Sequence, residues 1–401
     1  MAIIRNYNTL AEFNSEPIHP ENKICFIKDK AILYSNGVQY SPSKMELISN
    51  IGDSDNIVDK FNELRTNLLK SNLMAPRTPN TIIYYAGPSN TISIGGTSYT
   101  AESDKINIDG VEYYKIKLDK DLDDNFYKFD KNTFTNLIFK DVDTSNVSNM
   151  NRMFYGCNNI TSLDVSRFDT SKVSDMVAMF SGCNSLTSLN VSNFDTSKVS
   201  DMRGMFQYCI TINSLDLSGF DTSKVTNMYC MFNECNNLTS LDVSRFDTSK
   251  VSDMGGMFQS CNSLTSLNVS NFDTSKVTNM IGMFDSCTAL ESLDISNFNT
   301  SNVSNMSLMF TYCTALTFLD LSNFNTNNVT NMESMFDGCT VLISLDLSGW
   351  DISKVTNMIE MFKGCNALKT IKMIGCSQTT IDKIKAQLAT DGITSCTIVT
   401  E

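Results

Sequence analysis

The sequence predicts an α/β solenoid, a right-handed stack of 26-residue coils each made of a strand and a short helix. Three observations predict it. Cysteines recur at intervals of 26 residues, at Cys157, Cys183, Cys209, Cys235, Cys261, Cys287, Cys313, Cys339 and Cys365, with no insertion or deletion between them. Of the 22 methionines, 18 fall in a repeated M-x-x-M-F motif. The unit Leu186 to Thr211, LTSLNVSNFDTSKVSDMRGMFQYCIT, changes its apolar period along its length, from alternation to steps of about three.

Each element of the coil follows from that unit. Leu189 and Val191 alternate inward on a short strand. Phe194-Asp195-Thr196-Ser197 is a corner whose polar side chains suit the capping of exposed N–H groups. Val199, Met202, Met205, Phe206 and Cys209 form one apolar stripe, expected on a helix of about three turns. Coils stacked at about 4.8 Å would make a rod on the order of 40 Å long. Phe168, Phe194, Phe220, Phe246, Phe272, Phe298, Phe324 and Trp350 are expected to form an aromatic column at the corner, with Trp350 as a packing residue.

The remaining columns argue against chemistry. The cysteines lack the paired spacing of a zinc site, with Cys230 and Cys235 the nearest pair, and are expected to be a reduced, buried ladder. Asp169, Asp195, Asp221, Asp247 and Asp273 are read as caps answered by a lysine row, since Asn299 and Asn325 take over in later coils. No metal and no cofactor is expected. His19 is the single histidine and no phosphate loop or nucleophile elbow occurs, so the expectation is a protein that is not an enzyme. The net charge of -13 argues against nucleic acid as a partner. No apolar run approaches a membrane span, and the N-terminus, MAIIRNYNTLAEF, has no signal-peptide core.

Four regions are expected. Residues 1–75 hold a hairpin over Lys23 to Tyr40 and then a helix within 43–75. Ile57, Phe61, Leu64 and Leu68 give that helix a short a/d seam, which either pairs copies in a homo-oligomer or packs on the hairpin. Residues 76–130 read as a small β-rich domain. Residues 131–370 form the solenoid, and Phe134 to Val142 already keeps its register. Residues 371–401 are a β-α-β cap with a helix over Ile381 to Leu388, the polar end that solenoids require.

The unit L-x-x-L-D-(V/L)-S-x-(F/W)-(D/N)-T-S-x-V-(S/T)-(D/N)-M-x-x-M-F-x-x-C resembles the BspA-family bacterial leucine-rich repeat over about residues 131–370, with Leu238 to Cys261 and Leu342 to Cys365 matching almost throughout. That resemblance implies a leucine-rich-repeat solenoid, adhesion or host interaction, and no catalytic residues. The stretch from Lys23 to Tyr40 is similar to short N-terminal modules on virion proteins of crAss-like gut phages. It implies a virion protein made in the host cytoplasm.

Comparison among the coils gives candidate partner-binding residues. Positions after the first methionine of the motif vary, among them Val177, Arg203, Tyr229, Ile281, Glu333 and Ile359, as do positions after its phenylalanine, among them Tyr155, Gln207, Gln259 and Asp285. On outward helix faces they would make a row of differing residues on a rigid rod. The strand face offers a hydroxyl row (Thr187, Ser188, Thr239, Ser240) but no aromatic side chains for stacking a sugar. The expected function is a phage virion-associated structural or adhesion protein whose solenoid binds a protein or glycan on a bacterial surface, or another virion protein. The alternative is a bacterial surface or secreted adhesin.

Overall fold

The chain divides after Thr78 into two units, Met1–Thr78 and Pro79–Glu401. The structure, a computed structural model, describes the backbone of residues 3–7, 23–27, 32–35 and 38–40 in the first unit, and residues 81–401 apart from 103, 119–128 and 130–133 in the second. In the first unit β1 (Ile3–Tyr7) pairs parallel with β2 (Lys23–Ile27), and β3 (Ile32–Ser35) and β4 (Val38–Tyr40) follow antiparallel in one sheet. The hairpin expected over Lys23 to Tyr40 thus has its strands. The helix expected within 43–75 lies outside the described residues.

The second unit begins with five strands: β5 (Thr81–Ala86), β6 (Thr91–Ile94), β7 (Thr97–Thr100), β8 (Ile106–Ile108) and β9 (Val111–Leu118). Next come β10 (Asn136–Asp141) and β11 (Ser162–Asp164), which pair parallel with Leu137 opposite Leu163, the register that the 26-residue period requires. The other face of the ladder is closed by β5, antiparallel to both β10 and β9. The β-rich run and the first coil therefore share one sheet.

The coils beyond form the expected solenoid, but their methionine segment is not helical. A helix needs each N–H to reach the carbonyl four residues back. Here alternate N–H groups leave the coil: those of Met150, Arg152, Phe154 and Gly156 donate to the carbonyls of Asp175, Val177, Met179 and Ser181 in the next coil, at 2.9, 2.8, 2.9 and 2.7 Å. The N–H groups between them, on Met153, Tyr155 and Cys157, close β-turns onto the carbonyls of Met150, Arg152 and Phe154. Residues three apart meet on one side in either arrangement, so Met150, Met153, Phe154 and Cys157 are buried as the stripe requires. Two positions per coil are left-handed, such as Arg152 (φ 58) and Gly156 (φ 72), which a right-handed helix does not allow.

Aspartate and asparagine make the corners. In each repeat three Asx turns form, as at Asp164, Asp169 and Asp175, whose Oδ1 atoms accept the N–H two residues on, at Ser166, Ser171 and Val177. The aspartate column assigned to helix capping has this role instead. The Asp195, Asp221, Asp247 and Asp273 carboxyls are held below the usual range, chiefly by the hydroxyl of the serine two residues on and then by its N–H. The lysine row bonds to the preceding coil: Lys198 Nζ donates to the Ser171 carbonyl at 2.7 Å and Lys250 Nζ to that of Ser223 at 2.8 Å.

Between the corners runs a buried threonine ladder. Thr196 Oγ1 donates to the Asp221 carbonyl at 2.9 Å and accepts the Asp221 N–H at 2.8 Å, and Thr144, Thr170 and Thr326 do the same one coil on from themselves. One hydroxyl thus satisfies two backbone groups. In the last coil, with no further coil to receive it, the position is the buried Ile352.

The core is built of columns. The stacked aromatic column is that of the motif phenylalanines, Phe154 to Phe362, with neighbouring centroids 5.8 Å apart over most of its length and planes 2° to 11° apart. The corner phenylalanines are also buried but lie beside that stack, as Phe194 does at 6.3 Å from Phe180. Trp350 is buried with its Nε1 donating to the Leu321 carbonyl at 2.9 Å. The column cysteines are free thiols, and from Cys183 onward each Sγ donates to the carbonyl of a phenylalanine in the preceding coil, as Cys209 does to Phe180 at 3.3 Å.

At the far end β12 (Phe318–Asp320), β13 (Ser344–Asp346), β14 (Thr370–Lys372) and β15 (Thr397–Val399) form a parallel sheet, with α1 (Gln378–Thr390) before the last strand. Ser377 caps α1, accepting the Thr380 N–H at 3.2 Å. Asp391, held by Gln387, accepts the Phe362 N–H through Oδ2 at 2.9 Å and replaces the carbonyl of a further coil.

Replacing Thr196 with valine keeps the shape and removes the hydroxyl, so the Asp221 N–H and carbonyl lose their partner. We expect Thr196→Val to cost about 2–4 kcal/mol by urea denaturation and Thr196→Ser less than about 1 kcal/mol. Burial pushes the column thiols up, Cys209 and Cys287 to about 12. Among the described residues, iodoacetamide should therefore modify the half-buried Cys376 and Cys396 in the native chain and the column only after unfolding, as peptide mass spectrometry would read.

Candidate functional site

The varying positions lie along one edge of the solenoid, on the run of turns rather than on the helix faces expected for them. The Asx turn at the aspartate or asparagine before each first methionine fixes the backbone of the residue after it. Asp201 Oδ1 accepts the N–H of Arg203 at 3.1 Å, Asn227 that of Tyr229 at 2.9 Å, Asn279 that of Ile281 at 3.1 Å, Asn331 that of Glu333 at 2.9 Å and Asn357 that of Ile359 at 3.1 Å. Tyr229 and Ile359 are exposed, whereas Val177, Ile281 and Glu333 are half-buried. Arg203 is exposed and forked onto Asp201, with one guanidinium nitrogen 2.8 Å from Oδ2. Glu333 accepts from the Asn357 amide at 2.9 Å.

The second varying column behaves differently. Gln207, Asn233, Gln259 and Asp285 form a chain of side-chain hydrogen bonds from coil to coil. Gln207 donates to Asn233 at 2.9 Å, Asn233 to Gln259 at 2.9 Å and Gln259 to the Asp285 carboxylate at 2.7 Å. Head-to-tail amides that end on an anion polarise one another in the same direction. Ser286 Oγ also donates to Asp285. Three residues expected to face a partner freely are therefore fixed in an internal ladder, in which Gln207 and Gln259 are half-buried and Asn233 and Asp285 buried. Tyr155 opens the column, 40% exposed, beneath the Arg152 guanidinium at 5.6 Å.

A third column on this edge went unrecognised in the sequence. The residue before each column cysteine is left-handed in every coil. It is glycine in the first two and last two coils, at Gly156, Gly182, Gly338 and Gly364. In the five between it is Tyr208 (φ 60), Glu234 (φ 60), Ser260 (φ 58), Ser286 (φ 58) and Tyr312 (φ 53). A residue with a Cβ costs roughly 1–2 kcal/mol in that conformation, where glycine is nearly free. The signal was present as a break in the glycine pattern at a fixed place in the repeat.

Glycines seat two of the exposed rings. A side chain at Gly338 would meet Tyr312 Cδ1 at 2.3 Å, and one at Gly255 would meet Tyr229 Cδ2 at 3.1 Å. Each ring lies against bare backbone of the next coil, with 51% of Tyr312 and 44% of Tyr229 left exposed. Gly204 and Gly256 make similar room for the amide ladder, since a Cβ there would meet Gln207 Oε1 at 3.1 Å and Gln259 Oε1 at 3.2 Å.

Burial raises the Asp285 carboxyl above its usual value against the lowering effect of the Ser286 and Gln259 bonds. A carboxyl raised by folding favours the folded state when protonated. Its contribution is present below the usual carboxylate range and is lost as pH rises through that range toward the folded value. Asp285→Asn, which keeps an acceptor for Gln259, should melt higher than the parent at pH 7 and equally at about pH 3 in thermal scans.

A family model described as "Mycoplasma protein of unknown function, DUF285" matches residues 120–241, 187–266 and 262–374. No curated protein and no solved structure matches. The three matches together span residues 120–374, and the chain belongs to that family.

Proposed function

We propose that this DUF285 protein is a non-enzymatic adhesion protein whose solenoid holds one edge of side chains against a bacterial surface or another virion protein. The observation that carries the proposal is the separation of roles within each coil. The valine, methionine, phenylalanine, cysteine and leucine columns repeat and are buried, while differences between coils gather on the turn edge. Tyr155, Tyr208, Tyr229 and Tyr312 are the exposed aromatic residues there, each at least 40% accessible. Exposed tyrosines on fixed backbone supply contact area at little entropy cost, the property of binding hot spots.

The likeness of Lys23 to Tyr40 to phage modules favours carriage on a virion, with the first unit as attachment and oligomerisation module. A bacterial surface or secreted adhesin is the second reading, and the Mycoplasma origin in the family's description favours it.

The purified chain should bind cells of the culture it comes from. Arg203→Ala with Tyr229→Ala should weaken that binding about tenfold with an unchanged melting curve, and Thr265→Ala on the strand face should leave it unchanged. Equal binding by all three proteins would remove the turn edge from the function. Immunogold label on purified virions supports the first reading, and label confined to the cell envelope replaces it with the second.

A further inference from the structure

We propose that the turn edge of the five central coils, from Tyr208 to Tyr312, is a carbohydrate site that takes an extended neutral glycan. This names a ligand class for the adhesion reading above and rests on it. One column changes over all five coils, and two columns beside it change within the first four. The column before the cysteine exchanges glycine for Tyr208, Glu234, Ser260, Ser286 and Tyr312, all left-handed. The left-handed position two residues after the first methionine is glycine at Gly204, Gly256 and Gly282, all within the first four of these coils, and Arg152, Ala178, Cys230, Leu308, Ser334 or Glu360 in the other coils. Between the two columns, the position after the phenylalanine carries the bonded amides and ends at Asp285. Five adjacent coils that keep a side chain where the flanking coils have glycine point to a use for the exposed part of those side chains.

The chemistry of the run is that of sugar recognition. Tyr208 and Tyr312 stand at its two ends, 46% and 51% exposed. They are four coils apart, about 19 Å at the inter-strand spacing, a distance that an extended chain of several sugar units spans. Tyrosine ring faces pack against the C–H faces of pyranose rings. Between the tyrosines the half-buried Glu234, Gln259, Ser260 and Ser286 reach the edge, groups of the kind that pair with vicinal hydroxyls, while Asn233 and Asp285 are buried beneath them. Tyr229 adds a third ring beside Tyr208, seated against Gly255. Charge selects among glycans. Glu234 and Asp285 lie within the run and Asp201 and Asp253 beside it, with Arg203 already on Asp201, on a chain of net charge -13. An anionic polysaccharide would be repelled.

The test is calorimetric titration of the full chain with cello-oligosaccharides and chitin oligosaccharides, with heparin as the anionic probe. We expect one of the neutral series to bind, with affinity rising as the oligomer lengthens, and heparin not to bind. Tyr208→Gly and Tyr312→Gly place glycine where the flanking coils have it. Each should raise the melting temperature and weaken oligosaccharide binding at least tenfold. Thr265→Ala, on the strand face, should leave binding unchanged. The proposal is overturned if neither neutral series binds, if heparin alone binds, or if the glycine variants bind as the parent does. Cell binding that persists in any of these cases leaves the adhesion reading standing, and loss of cell binding by the parent chain removes both.

Discussion

Every column in this solenoid depends on how the turn edge divides its backbone N–H groups. One set closes β-turns within the coil and the alternate set reaches carbonyls of the next, as Met153 and Phe154 do. Closing the turns sets the length of the edge. Reaching the next coil then requires that coil to have the same length, because each donor meets an acceptor 25 residues on. One inserted residue would shift all later donors in the coil and displace the phenylalanine stack, the thiol ladder and the threonine hydroxyls together. The constant period is therefore a hydrogen-bonding constraint as much as a packing one, and it explains why buried polar threonine is kept at the heart of every coil that has another to follow it.

A stack of this kind leaves unused donors or acceptors at its two ends, where another chain can add. The ends are closed by different means. At the start β5 runs antiparallel to β10, so the β-rich run satisfies the first coil without continuing the repeat. At the finish the replacement is made group by group. Ile352 stands where a threonine would have no partner, Asp391 takes the Phe362 N–H, Lys383 donates to the Ile352 carbonyl at 3.2 Å, and β15 extends the parallel sheet by one strand. The cap thus imitates a coil only where the last coil has a group to satisfy.

Much of this was legible in the sequence because burial and spacing are written in residue type. The period, the register of Leu137 with Leu163, the reduced thiols, the buried Trp350 and the terminal helix follow from apolar spacing and cap residues. The methionine segment did not follow, because steps of three suit both a helix and a succession of β-turns. Only backbone conformation separates the two, and no side chain at Arg152 or Ala178 advertises a left-handed residue. Spacing does not say which phenylalanine column stacks, since the corner and motif columns are equally periodic and both are buried. At the candidate site, variation identified the edge but not the ladder from Gln207 to Asp285, which depends on side-chain reach between coils.

Variation alone is weak ground for function on a repeat array, because a solvated edge drifts freely when the core is fixed. The column before the cysteines differs from the other left-handed column, which holds side chains in coils scattered along the whole stack, in that its side chains fall in one unbroken run. Its conformation penalises every residue except glycine, so drift there is biased toward glycine, and four coils have it. The five coils that depart from it adjoin one another, begin and end with tyrosine, and the first four of them carry the side-chain ladder from Gln207 to Asp285. Packing takes up only part of the side chains, since Tyr208 and Tyr312 remain about half exposed even with Tyr312 seated against Gly338. The exposed remainder faces solvent, and that surface is where a use for it is to be sought.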